Sequence, residues 1–159
     1  MSLVVHERFV NAPPETVFAM FVDPRLLMRW FGAAELDPRP GGVFRVTLAT
    51  GDVCSGRYLE VDPPRRVVFT WGWENQQAIP VRPGSSTVAV DLTPDGSGTH
   101  LRLVHSGLDG DTALIHEHGW MRFLDRFEAV GEGRDPGPLP EGETPAEVLA
   151  RLKHEQSET

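Results

Sequence analysis

The sequence predicts an α+β domain in which a curved antiparallel sheet of six to seven strands surrounds a long C-terminal helix, with two short helices after the first strand. Three observations predict it. Between Val43 and His105, short runs of alternating apolar residues are separated by turns rich in Gly, Pro and Asp. After Gly107 to Asp111 a long segment carries apolar residues at helical spacing. Two shorter stretches of helical spacing lie between the first strand and those alternating runs.

Leu3 to Val10 is rich in Val and Phe and stops at Asn11-Ala12-Pro13-Pro14, a strand followed by a helix start. Glu15 lies in the first turn, where a carboxylate favours the exposed amides, and Val17, Phe18 and Phe21 recur at helical spacing. Asp23 can cap and Pro24 can open a second short helix ending near Trp30. From Glu35 the period changes: Gly41-Gly42 marks a turn, and Phe44, Val46 and Leu48 share one strand face. Thr50-Gly51-Asp52 turns the chain into a strand from Val53 to Val61, and Asp62-Pro63-Pro64 turns it again. Val67, Phe69, Trp71 and Trp73 then line one face. A second hairpin follows, in which Val88, Val90 and Leu92 alternate, Pro94 to Gly98 turns, and Leu101, Leu103 and His105 alternate.

Asp109 or Asp111 is the expected N-cap of the long helix. At 100° per residue, His116, Trp120, Phe123, Leu124 and Phe127 fall within a stripe about 100° wide, with His118, Arg122 and Asp125 opposite. Gly and Pro dominate Gly131 to Gly142, so the chain divides into a domain over 1–132, a linker over 133–142 and a short helix over 143–154. That last helix opens on Thr144-Pro145-Ala146-Glu147, a capping-box pattern, and its Leu149 and Leu152 are expected to dock on the chain's own domain or on a second copy in a homodimer.

A chain of 159 residues can bury roughly 70% of its unfolded surface in one core. Its 15 basic and 23 acidic residues leave a net charge of −8, which repels polyphosphate and anionic lipid, so nucleic acid and membrane are not expected partners. No apolar run approaches the roughly 20 residues needed to cross a bilayer, and the N-terminus lacks a signal-peptide pattern, so a cytoplasmic protein is expected. One cysteine, Cys54, can form neither an internal disulfide nor a thiolate metal cluster.

His116 and His118 stand two residues apart on a helix and so point about 160° apart, which excludes a shared metal ion. No metal or cofactor is expected. Nucleophile-elbow and phosphate-loop patterns are absent. Arg57 sits in a strand whose two faces are mixed, and a bulge at Gly56 would switch its parity. The inward faces assign Trp30, Phe44, Val46, Phe69, Trp71, His105, His116, Trp120, Phe123 and Phe127 to a site for a small hydrophobic molecule between sheet and helix.

The strings Asn11 to Phe18, Trp30-Phe31, Gly41-Gly42-Val43-Phe44, Gly56 with Glu60 to Trp71, and His118-Gly119-Trp120 resemble the family named after the activator of the heat-shock-protein-90 ATPase, across residues 3 to 132. The resemblance implies the helix-grip fold of START domains and the birch-pollen allergens. Relatives act as chaperone activators, as lipid or polyketide binders, and as cyclases or hydrolases, so function has to come from the site. The namesake also carries a separate N-terminal domain, and a chain starting at strand one is expected to lack that part of the chaperone role. The expected function is binding of a small hydrophobic ligand. Its alternatives are a cyclase, dehydratase or hydrolase using the inward histidines, and an interaction module with a filled core.

Overall fold

A computed structural model describes residues 2–75, 79–139 and 145–158. The elements run β1 (Ser2–Val10), α1 (Pro14–Val22), α2 (Pro24–Trp30), β2 (Ala33–Leu36), β3 (Val43–Thr47), β4 (Val53–Asp62), β5 (Arg66–Trp71), β6 (Ser86–Asp95), β7 (Gly98–Leu108), α3 (Gly110–Gly131) and α4 (Pro145–Ser157). The strands form one seven-stranded antiparallel sheet in the order β1-β7-β6-β5-β4-β3-β2. This is the α+β architecture expected from the alternation of the strands.

Period-two patterning decides which face turns inward. In β6 the side chains of Ser86, Val88, Val90 and Leu92 are buried, and in β7 those of Thr99, Leu101, Leu103 and His105. α3 lies against that face with His116, Trp120, Leu124, Phe127 and Val130 buried at helical spacing. Asp109 is its N-cap, and the Thr112 hydroxyl accepts the Asp109 N–H at 2.9 Å. On the flank facing β1, Arg8 pairs with Asp125 and, at 3.6 Å, with Glu128.

α1 and α2 close the end of the sheet. Asp23 accepts the Arg25 N–H at 2.9 Å and so caps α2. Two buried donors tie the helices down: Trp30 Nε1–H bonds the Met20 carbonyl at 3.0 Å, and the Tyr58 hydroxyl bonds the Phe21 carbonyl at 2.9 Å. Ring contacts fill the space between, including Phe44 on Phe69 at 4.1 Å and Trp30 against Phe127 at 4.9 Å.

The sheet departs from regular pairing at β4. A Cβ on Gly56 would stand 1.9 Å from the Thr70 carbonyl oxygen, so only glycine fits there. Arg57 N–H bonds the Thr70 hydroxyl at 2.8 Å, and its guanidinium donates to the Gly41 carbonyl at 2.9 Å, which places Arg57 outward. The register shift itself falls between Tyr58 and Glu60 rather than at Gly56. Before Gly56, β4 pairs with the stretch beyond β5: Ser55 N–H bonds the Gly72 carbonyl, and Cys54 bridges Trp73. Trp73 therefore lies outside the regular strand, yet it keeps the parity of Trp71.

The tail folds back on the domain. Arg126 is buried and its guanidinium donates to the carbonyls of Arg29, Trp30, Pro136, Gly137 and Pro138 at 2.8 to 3.2 Å. α4 packs on α3, with Val148 buried and Leu149 and Leu152 half-buried, and Lys153 Nζ lies 3.1 Å from Asp111. Val148 thus takes the inward position expected of Leu149 and Leu152. Thr144, the expected cap, lies outside the described residues.

Candidate functional site

Two histidines stand where sheet and α3 meet, their rings 5.1 Å apart. β7 parity turns His105 inward, and the helical spacing of α3 brings His116 over it. Trp120 Nε1–H donates to His105 Nδ1 at 3.0 Å, which leaves the proton on Nε2 facing the Ser86 hydroxyl at 2.8 Å. Ser86 in turn donates to the Trp71 carbonyl at 2.9 Å. His116 Nε2 accepts two indole protons, from Trp71 at 3.2 Å and Trp73 at 3.0 Å, and its Nδ1–H faces the Thr112 carbonyl at 2.6 Å.

Each imidazole is thereby a neutral acceptor held by indoles. Burial pushes His105 down to about 2, with the neighbouring His116 adding to the effect. Burial likewise pushes His116 down to about 4, against a small opposing pull from the Thr112 carbonyl. Neither ring keeps a free lone pair. Among the described residues no group of three or more His, Cys, Asp or Glu side chains is placed to hold a metal ion.

Beside this network lies an open pocket of about 150 Å³. Trp71, Trp73, Trp120, Phe31 and Phe123 form its aromatic wall, with Leu48, Ile79, Ile115 and Val148 completing the apolar surface. Thr50, Asp52, His118 and Arg122 bring polar groups to it, and Gly119 opens its floor. Phe31 stacks on Trp71 at 5.7 Å with planes 7° apart.

Of the residues assigned to a ligand site by sequence, Trp71, His116, Trp120 and Phe123 line this pocket. Trp30, Phe44, Val46, Phe69 and Phe127 do not: they pack against one another and the remaining core, at 2% exposure or less. His105 is fully buried behind Trp120. The physical reason is that the middle of the sheet–helix interface is filled by rings, and the open volume is displaced to the flank of α3, where α4 covers it.

That displacement also changes what α3 contributes. His118 and Arg122, expected on its solvent side, stand at the pocket because α4 packs along that flank. Phe31 was hidden by its neighbour: α2 ends at Trp30, so Phe31 leaves the helical direction and reaches the pocket while Trp30 enters the core. Trp73 carried a readable signal, its parity with Trp71. Val148 belongs to the apolar stripe it shares with Leu149 and Leu152, which does not say what surface it meets, and Ile79 and Gly119 carried no such signal.

The fold has several solved counterparts. MLL2253 of Mesorhizobium loti is 29% identical, over 81% of this chain and 96% of its own, at TM-score 0.72. CalU16 of Micromonospora echinospora is 26% identical, over 98% of this chain and 83% of its own, at TM-score 0.69. DynU16, a protein of the dynemicin biosynthetic locus, is 26% identical over 86% of this chain and 49% of its own, at TM-score 0.73. No curated protein matches the sequence. Residues 11–132 match the family described as Activator of Hsp90 ATPase homolog 1-like protein, and with more than half of its length inside that match the chain belongs to this family.

Proposed function

We propose that the chain binds one small apolar molecule, about the size of a substituted aromatic ring, in the pocket between α3, α4 and the Trp71–Trp73 segment. The observation that carries the reading is the wall: three of the four tryptophans and two phenylalanines surround open volume in a core that is elsewhere filled by ring contacts. An apolar void near this size accommodates a benzene-sized molecule, and apolar clefts with a few polar groups are the usual small-molecule sites. The likeness to a protein of the dynemicin biosynthetic locus supports a small-molecule ligand by analogy.

Catalysis by the two histidines has less support. A general base near neutrality needs an accessible lone pair and a pKa near the working pH, and His116 and His105 have neither.

Gly119 supplies the test. It stands inside α3, lines the pocket, and a Cβ there would meet no atom within 4 Å. Gly119→Leu should fill the pocket and, by improving helix propensity by about 1 kcal/mol, melt no lower than the wild type. Toluene should raise the melting temperature of the wild type and leave that of Gly119→Leu unchanged. Equal shifts in both proteins would place the binding elsewhere, and no shift in the wild type would remove the reading.

A further inference from the structure

We propose that Arg122 receives an anionic head group, so that the ligand is an apolar monocarboxylic acid of the arylalkanoic class, its ring among the tryptophans and its carboxylate at the lip of α3. This rests on the reading of the pocket as a ligand site. It adds a chemical class and an orientation.

Two ends of the pocket differ. At the inner end the imidazole of His116 is fully engaged: its Nε2 takes two indole protons and its Nδ1–H faces Thr112. A ligand group arriving there finds no hydrogen-bond partner, so the buried part of the ligand is apolar. At the outer end stands Arg122, an exposed side chain that still lines the pocket.

The other arginines near carboxylates are already paired. Arg8, Arg25, Arg39, Arg45, Arg65, Arg66, Arg134 and Arg151 each meet an Asp or Glu, and Arg126 is enclosed by carbonyls. Among the described residues no hydrogen bond or ion pair engages Arg122. Its planar fork of donors matches a carboxylate in two-point geometry. His118, one helical turn earlier, shares the same lip.

The opposing group is Asp52, on the turn between β3 and β4. Its carboxylate accepts the Thr50 hydroxyl at 2.7 Å, so it is held within its own turn. A cationic ligand would be drawn to Asp52 and an anionic one to Arg122; the group left without a partner is the cation. Charge on the ligand therefore decides which lip it meets.

Three probes of one skeleton separate these cases: 3-phenylpropanoate, 3-phenylpropan-1-ol and 3-phenylpropylammonium, titrated by calorimetry at neutral pH. The acid should bind the wild type at least roughly tenfold more tightly than the alcohol, the effect of one hydrogen bond to a charged group. Arg122→Gln should bring the acid to the level of the alcohol while leaving the alcohol unchanged, and Arg122→Lys should keep part of the preference. Equal binding of acid and alcohol would overturn the assignment of Arg122 and leave the pocket standing. Tightest binding by the amine would transfer the head group to Asp52. Failure of all three probes, with no response to toluene, would remove the pocket as a ligand site altogether.

Discussion

His116 holds more of the structure than a lone histidine on an apolar helix face would suggest. Two indole protons converge on its Nε2, so His116→Phe strands one buried and one partly buried donor and should lower stability by about 2 kcal/mol. Urea denaturation at neutral pH checks this, and an unchanged midpoint would show that the indoles find other partners. The same burial gives a pH dependence whose sign follows from proton uptake. Unfolded histidine titrates near pH 6.5, whereas folded His116 and His105 stay neutral down to about 4 and about 2. Only the unfolded chain takes up these protons as pH falls below 6.5, so stability present above that pH is lost progressively beneath it. Each histidine contributes about 1.4 kcal/mol per pH unit on an order-of-magnitude basis. His6 is also held below the ordinary histidine value by burial. His116→Gln, which keeps an acceptor and removes one titration, should therefore lower the histidine part of the slope between pH 6 and 4.5 by about one histidine's share, roughly 1.4 kcal/mol per pH unit at most; an unaltered slope would assign it to other groups. Arg126 is the second residue of this kind. Arg126→Met leaves carbonyls of α2 and of Pro136 to Pro138 without donors and should lower stability by roughly 2 to 3 kcal/mol, measured by the same denaturation.

α4 is the element whose role was least legible. Its apolar stripe reads clearly in the sequence, yet a stripe does not say which surface it meets, and beside it on the flank of α3 stand Ile115 and Ile79, which line the same pockets as Val148 and Leu149 and come from separate parts of the chain. Only the fold brings them together. The ion pair of Lys153 with Asp111 is more than half exposed on both sides and adds little, so Val148 carries the docking. Val148→Asp should release α4 and speed tryptic cleavage at Arg151 and Lys153 at least several-fold, while the melting temperature of the domain changes by only a few degrees. Equal cleavage rates would mean that α4 is held without Val148. The strands were read more easily: in β6 and β7 strict alternation names the inward face, and in β5 Val67, Phe69 and Trp71 do the same. β2 was harder to resolve, because its four residues, Ala33 to Leu36, alternate too briefly to stand out.

At the scale of the molecule, the sheet-and-helix architecture was legible because hydrophobic period carries it, and family strings such as Gly41-Gly42-Val43-Phe44 agreed with that period. The pocket was legible only in part. Sequence patterns identify which side chains point inward but not whether the volume they enclose is full, and here Phe44 on Phe69 and Trp30 on Phe127 fill the centre while Trp71 and Trp120 border open space. No helix among the described residues is long and apolar enough to cross a membrane.

β1 is an outer strand whose only sheet neighbour among the described residues is β7, with Ser2 opposite Leu108 and Val10 opposite Thr99. As the first strand of this domain to be synthesised, β1 therefore has no partner in the domain until nearly all of it has been made, and α3, which also packs on β1, emerges later still. During that interval Leu3, Val5 and Phe9, which remain exposed even in the finished sheet, belong to an unpaired strand able to join another chain. Closing a loop of this length is slow compared with forming local hairpins such as β6–β7, so β1 is the segment through which nascent copies would meet, and its capture by β7 is the step that ends that exposure.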